Sequence, residues 1–137
     1  MMAKLTLATT GALALAVPAW AHHSHGNYEN DESVDLEGVV TEVHLINPHS
    51  WVFMEVTDDR GQKTEWGLEA SARGVLERIG VTYDYIGPGD AIKVRCHPLR
   101  DGDPECLLGF LQGRDGIVKD WDGSRARPVD DEFFDLE

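Results

Sequence analysis

Val39–Val56 reads VVTEVHLINPHSWVFMEV, two strand-forming runs around a single break at Asn47-Pro48-His49. In the first run Val39, Thr41, Val43 and Leu45 alternate with Val40, Glu42 and His44. In the second, Trp51, Phe53 and Glu55 alternate with Val52, Met54 and Val56. Period-2 alternation with β-branched and aromatic residues is a strand signal. Proline fixes its own φ and disfavours helix at the residue before it, so Asn47-Pro48 turns the chain. The turn presents His49 where the two strands join.

Upstream, Val34-Asp35-Leu36-Glu37 alternates with apolar residues at even positions, and after Gly38 the apolar phase moves to odd positions. A phase change at a glycine signals a bulge or a sharp bend. Residues 34–46 are therefore expected to form one long, bent first strand. Downstream, Asp58-Asp59-Arg60-Gly61 is a turn, and a third strand is expected over 62–68 with Thr64, Trp66 and Leu68 on one face. A hairpin centred between Asp59 and Arg60 pairs Thr57 with Gln62. Carried back, that register sets Ser50 opposite Glu69, with His49 alongside.

Ser71–Ile79 is the one good helix signal. Ser71 suits an N-cap, Ala72, Val75, Leu76 and Ile79 form an apolar stripe, and Gly80 is placed to end it. Gly74 inside that helix is expected to mark close packing. Strands follow over 91–97 and 105–111, with a short one over 117–121. Residues 122–137 form an acidic tail, with Phe133-Phe134 able to fold it back. Three strands, a helix, then two or three strands predict a mainly β, five- to six-stranded OB-like barrel with its helix between strands three and four. Another small, partly open β-barrel is the runner-up.

The first 21 residues carry a secretory pattern: Lys4, an apolar Leu5–Val17 run, then Pro18 and the small-x-small Ala19-Trp20-Ala21. A signal peptide over 1–21 leaves a mature chain starting at His22, with a flexible His-rich segment over 22–33 and the barrel domain over 34–121. This reading implies export to the periplasm and no stable membrane anchor after cleavage. The whole chain carries a formal charge of −13, and loss of Lys4 makes it −14. Such a surface argues against nucleic acid and anionic membranes as partners.

In an oxidising compartment Cys96 and Cys106, ten positions apart around a turn centred on Asp101, are expected to be joined in a disulfide. Two buried free thiols are the alternative, and a metal site comes third.

His22-His23-Ser24, Leu36-Glu37-Gly38-Val39-Val40, Asn47-Pro48-His49, Trp66-Gly67-Leu68-Glu69, Gly89-Asp90 and Asp115-Gly116 together resemble an uncharacterised family of short exported bacterial proteins, a domain of unknown function. The resemblance runs through almost the whole mature chain. It implies an exported small β-barrel and no established reaction. The chain departs from it at His25, where many relatives place Phe, and in its cysteine pair.

Two site readings emerge. Cleavage before His22 frees an α-amine next to an imidazole, and a second ring from His23, His25 or His49 completes a three-nitrogen set that suits copper. The rim residues Asn47, His49, Trp51 and Glu69 form the second candidate surface, for a ligand or a protein partner. A carboxylate beside His49 would set its tautomer and basicity. Asn47 is expected to cap its own turn. His97 with Asp101 and Asp103 is a minor cation candidate. GxSxG, phosphate-loop, HExxH and CxxCH signatures are all missing, so the expectation is a non-catalytic protein; the many histidines and carboxylates leave hydrolysis open.

Overall fold

The computed structural model describes residues 24–123, 126–128 and 131–136. The expected signal peptide, His22, His23 and the His25 side chain lie outside what is described.

The described residues form six strands: β1 (Val34–His44), β2 (Ser50–Thr57), β3 (Lys63–Ala70), β4 (Ala91–Pro98), β5 (Glu105–Gln112) and β6 (Val118–Asp120). They form one sheet in the order β3-β2-β1-β4-β5-β6, and a parallel pairing of β3 with β5 closes the first five into a barrel. The OB-like architecture expected from element order is the one found, with α1 (Arg73–Arg78) between β3 and β4.

β1 serves both halves of the barrel. Its first half, Val34 to Val39, pairs with β4; from Val39 onward it pairs with β2. Gly38 sits at this handover. A Cβ there would lie 2.4 Å from the Glu55 carbonyl oxygen and 2.7 Å from the end of Met54, so only glycine lets the strands approach this closely. The phase change is not at Gly38, however. Val34, Leu36 and Val40 keep even parity, and the register shift falls between Val40 and Glu42. Val39, counted above among the alternating residues, is 45% exposed. The glycine permits the approach, whereas the bulge moves Val43 and Leu45 inward.

The β2–β3 register is also one residue away from expectation. Thr57 pairs with Lys63 and Trp51 with Glu69. The turn itself is the cause. Asp58 Oδ1 accepts from the backbone N–H of both Arg60 and Gln62, Asp58 donates its own N–H to the Gln62 carbonyl, and Gly61 adopts φ +80°. That Asx-type turn takes up one more residue than a symmetric hairpin.

The core is formed by Val52, Met54, Leu68, Val94, Leu108 and Leu111, with Leu76 of α1 and Trp121 packed on it. Helix α1 is shorter than the apolar stripe suggests. It begins after Ala72, not Ser71, whose hydroxyl instead donates to the Asp122 carbonyl. Its end follows expectation. Gly80 at φ +81° donates to the Glu77 carbonyl and Val81 to that of Leu76, a Schellman motif with both apolar flanks buried.

Cys96 and Cys106 are bonded, with Cα atoms 5.7 Å apart. They are diagonal rather than opposite, because Pro98 pairs with Cys106 and Cys96 with Leu108. The β4–β5 turn therefore centres on Gly102, at φ +85°, not on Asp101.

The C-terminal aromatic pair does fold back. Phe134 is fully buried, Lys93 Nζ donates to the Phe133 carbonyl and Asp135, and the Arg95 guanidinium lies over both rings.

These environments separate two glycines. Gly38→Ala should cost about 1–3 kcal/mol, toward the upper end, because its clash is with backbone. Gly74 in α1 has nothing within 4 Å of an added Cβ, against the expectation of close packing. Gly74→Ala should stabilise by about 0.5–1 kcal/mol. Urea denaturation of both variants checks the opposite signs.

Candidate functional site

The β1–β2 loop, residues 45–49, turns through a cis Asn47–Pro48 bond. Ser50 closes it. Its buried hydroxyl accepts from the Ile46 N–H and donates to the Ile46 carbonyl, each at 3.2 Å. The closing side chain is therefore Ser50, not Asn47, which is exposed.

The loop delivers His49 to Glu69. Trp51 and Glu69 are directly paired, so they project from one face of the sheet, and residues two apart share that face. His49 thus lies diagonal to Glu69, within reach of a long side chain. The register shift produces this contact: had Ser50 faced Glu69, the carboxylate would point toward the barrel interior. His49 Nδ1 lies 3.2 Å from Glu69 Oε1. The imidazole is 40% exposed and the carboxylate only 6%.

The other oxygen of Glu69 is taken by a residue that sequence reasoning missed. The Tyr28 hydroxyl donates to Oε2 at 2.6 Å, and Tyr28 is buried. The segment expected to be loose is tied down here. Tyr28 bridges to Leu99, Glu29 donates its N–H to the Pro98 carbonyl, Arg100 donates its own to the Asn27 carbonyl, and the Arg100 side chain reaches the Tyr28 carbonyl. The disulfide holds the base of the β4–β5 loop on which this segment rests. No periodicity marks Tyr28, since its partners lie 41 residues away or farther.

The result is a buried carboxylate clamped between a phenol and an imidazole. Burial, then the hydrogen bond and charge of Glu69, then the charge of Glu105, push the Tyr28 phenol above its ordinary value. With Nδ1 turned to Glu69, Nε2 is the ring nitrogen that a ligand would use. A cavity of about 190 Å³ adjoins it, walled by Pro48, His49, Ser71, Val75 and Asp122. A larger open groove of about 720 Å³ runs along the β1 bend, where Glu37 and Asp90 offset Lys93 and Arg114; none of the expected site residues among those described lines it.

Of the other candidates, Trp51 stacks on Phe53 on the outer sheet face, with ring centroids 6.0 Å apart. His44 is an exposed strand histidine paired with Glu42. His97 turns Nδ1 to the Glu32 carbonyl, and Asp101 caps its own loop through the Asp103 N–H. Among the described residues no group of three or more His, Cys, Asp or Glu side chains is gathered to hold a metal. No described helix is long and apolar enough to cross a membrane.

Tyr28→Phe removes a hydrogen bond to a buried charge and should cost about 1.5–3 kcal/mol. The pH dependence has a definite sign. A phenol raised in the fold stabilises it fully below the unfolded value near 10, and that contribution is lost as pH rises beyond it. Stability measured by urea denaturation should fall steeply above pH ~10 and less steeply in Tyr28→Phe. Tyr85, also raised by burial and by the charge of Asp115, supplies the remaining slope.

No curated protein matches the chain. Among solved structures, a mitochondrial single-stranded DNA binding protein from S. cerevisiae is similar at 9% identity and a TM-score of 0.42, over 60% of this chain and 92% of that one. A family of unknown function, DUF6152, matches residues 11–108, well over half of the 137 residues, and the chain belongs to that family.

Proposed function

We propose that the protein is an exported, non-catalytic binding protein of the periplasm that takes up copper at the rim around His49. The ligands in this reading are the α-amine and ring of His22, freed by signal cleavage, with His23, His25 or His49 completing the set. The observation that carries it is the clamp on Glu69. The same carboxylate holds His49 and, through Tyr28, the segment that leads back to the N-terminal histidines. His22 lies six positions before Tyr28. An extended chain of that length reaches at most ~20 Å, so such a tether would raise the local concentration of the amine around His49. Glu69 behind Nδ1 is the outer-shell arrangement that orients a metal-binding imidazole through its other nitrogen. Amine and imidazole nitrogens suit Cu²⁺ above other divalent first-row ions. The disulfide agrees with an oxidising compartment.

A second reading is favoured by a different observation. Ile46 is 48% exposed on the loop that carries Asn47 and His49, beside Trp51. An apolar side chain held out on a closed loop suits a metal-independent interaction module of the envelope, using the rim from Asn47 to Glu69.

Calorimetric titration with Cu²⁺ separates the two. Protein beginning at His22 should bind one equivalent tightly, and one extra N-terminal residue should weaken binding by about 100-fold or more because the chelating amine is displaced. Glu69→Gln should weaken it by about 10- to 100-fold. Equal, weak binding by both N-terminal forms would discard the copper reading and leave the interaction module.

A further inference from the structure

The outer face of β2 and β3 brings aromatic and acidic side chains together in register. Register places Glu42, Phe53, Gly67 and Glu105 in one row across four strands, because Glu42 pairs with Phe53, Phe53 with Gly67 and Gly67 with Glu105. The neighbouring rows hold His44, Trp51 and Glu69 on one side and Glu55 with Glu65 on the other. Trp51 and Phe53 stack within 15° of parallel, and His44 meets the Phe53 edge at 5.7 Å. Gly67 leaves room for this stack. A Cβ there would lie 3.5 Å from each ring and 3.3 Å from Glu105 Cγ, so rings and carboxylate lean over the same spot. Both aromatics are only half-buried.

Four solvent-accessible carboxylates, Glu42, Glu55, Glu65 and Glu105, therefore surround an aromatic pair, with the buried Glu69 beside them. Among the described residues Lys63 is bound to Glu55 at 2.7 Å, His44 lies 2.9 Å from Glu42, and the Thr41 hydroxyl donates to Glu65. Aromatic faces ringed by carboxylates attract cations through both the ring quadrupole and net charge. A chain with a formal charge of −13 repels nucleic acid and anionic membrane from the same face. The surface extends over neighbouring strands ~4.8 Å apart, whereas a small-molecule site would enclose most of its ligand. Alternate side chains of an extended segment recur about every 6.8 Å, close to the 6.0 Å between the two rings.

We infer that this face docks a basic, extended segment of a partner protein. Arginine or lysine side chains two apart lie on Trp51 and Phe53 and pair with Glu42, Glu65 and Glu105. The inference rests on the interaction reading of the rim and names its partner's chemistry. It is independent of copper, whose proposed ligands lie on the N-terminus and the β1–β2 loop.

The test uses the full chain and a synthetic peptide of alternating arginine and serine, with an alternating glutamate and serine peptide as its control. The arginine peptide should bind saturably at one equivalent, weaken steeply with salt, and shift the NMR signals of the Trp51 indole N–H and the Gly67 amide. Glu65→Lys should lower affinity about tenfold or more while leaving the Cu²⁺ titration unchanged, so either idea can fail without the other. Trp51→Leu should lower peptide affinity by a similar factor; the exposed Glu65→Lys variant decides the matter if Trp51→Leu does not fold. Glu77→Gln and Glu132→Gln, on α1 and near the C-terminus, should leave affinity unchanged. Equal losses from those two variants, shifts spread away from Trp51 and Gly67, or no saturable binding would overturn the inference.

Discussion

The parallel ladder between β3 and β5 is the constraint on which the rest of this molecule depends. It pairs Gly67 with Glu105, Leu68 with Cys106 and Glu69 with Leu107, and so turns an antiparallel sheet into a barrel. Each pair has a consequence. Leu68 and Cys106 enter the core, and Cys106 meets Cys96 there. Gly67 and Glu105 meet on the outer face under the aromatic stack. Glu69 is brought against the end of β5, where the N-terminal segment crosses and Tyr28 can reach it. Without closure, Glu69 would be a solvated edge carboxylate, far from any group able to bury it.

Burying that carboxylate is costly unless its oxygens are satisfied. One is bound by a phenol from a segment 41 residues earlier in the chain, and the other faces an imidazole from the β1–β2 loop. The clamp joins three parts of the chain at one point: the N-terminal segment, the first loop and the end of β3. It also divides the surface. On one side stand His49 and its small cavity. On the other lies an open aromatic and acidic sheet face.

Much of the architecture was legible locally. The alternation on either side of Asn47-Pro48-His49 identified two strands, and the order of elements identified an OB-like barrel. Gly80 ended its helix as the spacing required, since a Schellman motif is built from residues within one turn. Three of the failures were failures of register. The extra residue in the Asp58 turn, the bulge beyond Val40 and the turn centre at Gly102 each depend on one loop conformation. Each displaces side chains by one position or reverses a face. The His49–Glu69 contact was anticipated through a register one residue in error. The shift by one residue set Glu69 on the face of Trp51 and His49, where its side chain spans the diagonal.

What the sequence determined by itself was composition and local pattern: an acidic chain, a long first strand with a glycine in it, a loop presenting His49, and two cysteines spaced to meet across a turn. Tertiary structure decided which face Glu69 occupies, that Tyr28 buries it, and that Trp51, Phe53, Gly67 and Glu105 share one surface. The physical reason is separation along the chain. A strand's alternation is set by neighbours two residues apart, but a buried phenol–carboxylate bond and a cross-barrel row are set by ladders whose members lie tens of residues away. Those ladders form only once the barrel closes.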